Sequence, residues 1–123
     1  MNRQEAKSAA LSPDWDQRAE AASILGATAA DDVADLILRL LWDDEDLAVV
    51  DGAAEALLNR ADEAGVRFFC IAYAEADDQL GDHLNDSLLR VRQDSRLLAL
   101  FRRDAAMGQP GAIEALNWLH IEY

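Results

Sequence analysis

Few side chains in this sequence are equipped for chemistry, and their spacing speaks against most reactions. There is one cysteine, Cys70, and two histidines, His83 and His120. Cys70 follows Phe68 and Phe69 on an apolar helix face, with no histidine set to oppose it. A buried, inert thiol is the expectation. His83 stands beside Asp82 and three residues before Asp86. One histidine with carboxylates is a weak transition-metal set, and a solvated helix face is the simpler reading. The run Asp43-Asp44-Glu45-Asp46 lacks the alternating ligands, the central glycine and the closing glutamate of an EF-hand loop. Six scattered glycines give no loop that would cradle a phosphate. Among 24 acids, any chosen carboxylate pair is uninformative about glycoside hydrolysis. No catalytic residue, metal or cofactor is expected.

The bulk composition narrows the partners. The 123 residues suit a single domain, 1–123, in which 1–11 reads as a short helix or a loose arm. Eleven basic residues stand against 24 acidic ones, a formal charge of −13. Nucleic-acid binding needs clustered basic charge to displace counterions, and adsorption to anionic lipid needs it too. Neither partner is expected. The start, Met1 to Lys7, carries no apolar leader core, and no stretch nears the roughly 18 apolar residues of a membrane span. With one cysteine the chain suits a reducing compartment, so a cytoplasmic protein is expected.

These residues must be positioned by helices. The stripe Leu47, Val50, Ala54, Leu57, Leu58 has helical period, as do Val33, Ile37, Leu40, Leu41 and Val66, Phe69, Tyr73. Further stripes are Leu80, Leu84, Leu88, Val91 and Ile113, Leu116, Leu119. The spacing predicts seven helices over about 13–26, 31–42, 46–59, 62–75, 78–91, 94–106 and 110–121. Ser12-Pro13 reads as an N-cap with proline at the first helical position, and Gly108-Gln109-Pro110 as a stop followed by a start. Asp31, Asp62 and Asp94 precede helices, where free amides favour negative charge. Asp51-Gly52 lies within helical rhythm, so it is read as a site of close helix approach and not as a hairpin turn.

The chain also repeats. Arg18 to Leu25 matches Val50 to Leu57 at a distance of 32 residues, Trp15 falls on Leu47, and Leu36-Ile37 falls on Phe68-Phe69. A third copy runs about two residues out of register, with Asn85-Asp86 where the alanine pair belongs. The pairs Ala21-Ala22 and Ala53-Ala54, with Leu25-Gly26, Val50 and Leu57, resemble the HEAT-type family of α-helical repeats. The likeness is good over 13–75 and loose over 78–121, and Arg18 departs from the apolar residue that Val50 supplies. The fold implied is an all-α superhelix, a HEAT-like solenoid of three and a half hairpins with period 32.

Such solenoids present extended surfaces to other proteins, which sets the functional expectation. Turns between repeats should share one edge. They carry Trp42, Asp43, Asp44, Glu45 and Asp46, then Glu75, Asp77 and Asp78, with Asp14 and Asp16 one repeat earlier. The edge is either a solubilising surface or a steering rim for a basic protein partner. Trp42 is either an interface anchor or a lid on the core. Asp35 and Arg39 are spaced to pair on an exposed helix face. Trp118 and Tyr123 lie near the last helix. The expected function is a non-enzymatic protein-binding module, in its most concrete form an immunity-type inhibitor of a basic nuclease toxin. The alternatives are an adaptor in a larger assembly or, less favoured, a HEAT-like lyase. A helical-repeat DNA glycosylase would need a basic surface.

Overall fold

The apolar stripes found in the sequence lie on helices in the computed structural model, which describes residues 1–29 and 31–122. The exceptions are Val33 and Val91, which fall in 3-10 turns, and Leu119, which follows the last helix. The expected helices 31–42, 78–91 and 110–121 are therefore shorter than the spacing predicts. Tyr123 lies outside the described residues. The helices are α1 (Arg3–Ala9), α2 (Trp15–Thr28), α3 (Ala34–Leu41), α4 (Leu47–Arg60), α5 (Glu63–Glu75), α6 (Asp78–Leu88), α7 (Ser95–Ala106) and α8 (Pro110–Trp118). Short 3-10 turns cover Asp31–Val33 and Leu89–Gln93, and no strand occurs among the described residues. Within 1–11, the segment read as a short helix or a loose arm, Arg3–Ala9 form α1 against α2.

Aspartate side chains cap four of these helices. Asp46 accepts from the Ala48 amide, Asp62 from Gly65 and Asp77 from Leu80, each at 2.8 Å. Asp94 accepts from Arg96 and Leu97 at 3.1 Å. Each such cap stabilises its helix by about 1 kcal/mol. Gln109 caps α8 ahead of Pro110, as the sequence suggests. Ser12-Pro13 does not open α2. Ser12 Oγ accepts from the Asp14 amide in a local turn, and the carbonyls of Ser12 and Pro13 turn toward the Arg18 guanidinium. The helix therefore begins two residues later, behind Asp14.

Helices two apart along the chain contact each other: α2 packs on α4 and α4 on α6, α3 on α5 and α5 on α7. The terminal helix α8 lies against α5 and α7. Ala21, Ala22, Ala53 and Ala54 are all fully buried, so α2 and α4 approach closely. The glycine that this approach requires is Gly26, where a Cβ would meet the Ala56 methyl at 2.7 Å. At Gly52 a Cβ would find ordinary contacts of 3.4 Å and longer, which corrects the sequence reading. The helix α8 presses on α5 so tightly that a Cβ on Gly111 would overlap the Cys70 carbonyl oxygen.

Burial also fixes the third register. Leu84, Asn85 and Leu88 are buried on α6 as Ala53, Ala54 and Leu57 are on α4, 31 residues earlier. The third copy has thus slipped by one residue, not two, and the pair is Leu84-Asn85; Asp86 is exposed. Asn85 tolerates burial because Tyr73 donates its hydroxyl to Oδ1. Burial in turn pushes the Tyr73 hydroxyl up to about 12.

Arginines tie the turns after α2, α4 and α6 to neighbouring segments. Arg60 donates to the carbonyls of Gly26 and Ala29, Arg96 to that of Ala61, and Arg90 to Asn59. Arg3 reaches from α1 to Asp32 at 2.6 and 2.9 Å. That hydrogen bond, aided by the charges of Arg3 and Lys7, lowers the Asp32 carboxyl from 3.8 to about 2. A depressed folded value stabilises above the unfolded one and is lost as pH falls through the folded one. Asp32→Asn should therefore be less stable than the parent at about pH 5, and the gap should close as pH falls through and below about 2. Urea midpoints of both proteins across this range check it; a constant gap would mean the pair contributes nothing through charge.

Candidate acidic binding edge

The turn from α3 into α4 is built around Asp43. Its carboxylate accepts from the amides of Glu45 and Asp46 at 3.0 and 2.9 Å and from Arg18 Nε at 2.8 Å. The side chains of Arg18 and Asp43 are each only 9% exposed. Burial pushes the Asp43 carboxyl up, but the Arg18 hydrogen bond and the Asp46 and Glu45 amides outweigh it, leaving it below its ordinary value. Arg18 also donates to the carbonyls of Ser12 and Pro13, and its guanidinium lies 3.5 Å from Glu45. The departure from apolar character at the Val50 position is thus a paired, buried cation.

The expected edge residues divide into two groups. Asp43, Asp46 and Asp77 are structural: the first anchors a turn and the other two cap α4 and α6. Asp44, Glu45, Glu75 and Asp78 are exposed and hold no cap, and Asp77 is exposed as well as capping. Trp42 is 38% exposed, yet its indole Nε1 donates to the Ala72 carbonyl at 3.1 Å. That bond ties the end of α3 to the last turn of α5, which leads into the 75–78 turn. Tyr73, which precedes the second turn, is half-buried against Phe69.

Sequence reasoning missed the apolar part of this edge. Leu47 opens an apolar stripe in the sequence and Trp15 falls on it one repeat earlier, but they are 48% and 53% exposed. Each is the first residue of its helix, ahead of the first buried turn. Leu11, in the loop before α2, is 57% exposed. The repeat spacing of Trp15 and Leu47 was the available signal. Among the described residues Asp35 and Arg39 form no ion pair, so the expected i, i+4 contact is not made.

The other chemical candidates are absorbed by the fold. His83 Nε2 lies 2.6 Å from Asp51 Oδ1 on α4, so its partner is neither Asp82 nor Asp86. No group of three potential metal ligands occurs among the described residues. Cys70 is fully buried, and that burial pushes its thiol far up, as an unreactive side chain requires. No described helix is long and apolar enough to cross a membrane. Set against known proteins, the chain matches no family model, no curated protein and no solved structure.

Proposed function

We propose that this chain is a non-enzymatic protein-binding module, a HEAT-like stack of helical hairpins whose inter-repeat edge engages a basic protein. The observation that carries this reading is the pairing of exposed acid with exposed large apolar groups. Trp15, Trp42 and Leu47 stand open beside Asp16, Asp44 and Glu45. A surface serving solubility alone needs the acids but not the tryptophans. The most concrete form of the reading is an immunity-type inhibitor that covers the basic groove of a nuclease toxin.

Capture from the native host, followed by surface plasmon resonance with the purified partner, tests it. The acidic edge steers encounter, so Asp44→Lys with Glu45→Lys should slow association about tenfold at low salt. Raising salt toward physiological strength, where charges are screened beyond about 8 Å, should narrow that difference. Association at the parent rate in low salt would reduce the edge to a solubility feature.

A further inference from the structure

A cleft of about 590 Å³ opens between the loop preceding α2 and the turn from α3 into α4. Leu11 and Trp42 line it, and both are exposed. The Trp42 ring is held by its bond to the Ala72 carbonyl, so it offers a fixed aromatic face. The charges in the lining do not balance. Arg18 and Asp43 neutralise each other, which leaves Arg39 against Asp35, Asp44 and Glu45. Among the described residues, Asp35, Arg39 and Asp44 take part in no ion pair.

We propose that this cleft receives one arginine side chain of the basic partner, its stem against Leu11 and its guanidinium over the Trp42 ring and among Asp35, Asp44 and Glu45. The proposal rests on the protein-binding reading above and names the group recognised at that edge. Arginine fits better than lysine because a planar guanidinium both stacks on indole and spans two carboxylates. The fixed ring also removes the ordering cost of a mobile anchor.

The test uses the tripeptide acetyl-Gly-Arg-Gly-amide and its citrulline counterpart, which has the same shape without the charge. The indole N–H signals of Trp15, Trp42 and Trp118 are followed in ¹⁵N spectra of the intact chain. The expected result is a saturable shift of the Trp42 signal at millimolar arginine peptide. The citrulline peptide should bind at least tenfold more weakly, and Asp44→Asn with Glu45→Gln should weaken the arginine peptide as much. Equal shifts by both peptides, or equal shifts at all three indoles, would overturn the proposal. An octa-arginine peptide separates the two readings. If it binds the edge while the tripeptide leaves Trp42 unmoved, the cleft proposal falls and the acidic edge stands. If the tripeptide binds but octa-arginine gains nothing from Asp16 and Asp78, the cleft stands and the extended edge falls.

Discussion

Leu57→Ala should lower the unfolding free energy by roughly 2–5 kcal/mol, and Leu38→Ala by well under half as much. Leu57 is fully buried on α4, the helix that contacts α2, α3, α5 and α6. Deleting its isobutyl group removes contacts on several sides, and helices already held by close backbone approach cannot collapse into the space. Gly26 against Ala56 and Gly65 against the Leu57 carbonyl leave almost no slack in the same region. Leu38 sits on α3 and is only partly buried, with solvent on one side. Urea melts of the two variants check the contrast. Comparable losses would mean that α4 is not the centre of the core.

The parts of this fold that were legible in the sequence are those set by local periodicity. Ala21-Ala22 and Ala53-Ala54 recur because two helices of equal length make the same close contact, and such contacts admit little but alanine and glycine. The caps at Asp62, Asp94 and Gln109 were legible for a similar reason, since the amides they satisfy lie within three residues. What could not be read depends on chain brought in from elsewhere. Ser12-Pro13 has the local form of a helix start, but Arg18 captures both carbonyls and delays the helix. Asn85 looked like wear in the repeat, yet it is the partner that lets Tyr73 keep its hydroxyl inside. The one-residue slip of the third copy accompanies the last helix settling on α5 and α7, a packing decision that no local pattern encodes.

The same distinction decides which acids of the edge can bind anything. As a sequence, Asp43, Asp44, Glu45 and Asp46 are four equivalent charges, and exchanging the first three for lysine looks harmless to the fold. The structure separates them. Asp43→Lys should lower the thermal midpoint by about 10 °C, because it strands the buried Arg18 beside a second cation and frees two amides. Asp44→Lys and Glu45→Lys should each move the midpoint by no more than about 2 °C, as surface changes usually do. Differential scanning calorimetry of the three single variants decides between these outcomes. A further variant isolates the cause. Val50 shows that an apolar side chain fits the position Arg18 occupies one repeat earlier, so Arg18→Met with Asp43→Leu should recover part of the loss. Recovery would be incomplete, since leucine cannot accept from the Glu45 and Asp46 amides. If Asp43→Lys melts with the parent, the Arg18 pair is dispensable and Asp43 joins Asp44 and Glu45 on the solvent-facing edge. If it melts early while Asp44→Lys and Glu45→Lys do not, binding studies must leave Asp43 intact. Slower association in an Asp43 variant would then report a disordered turn and not the loss of a steering charge.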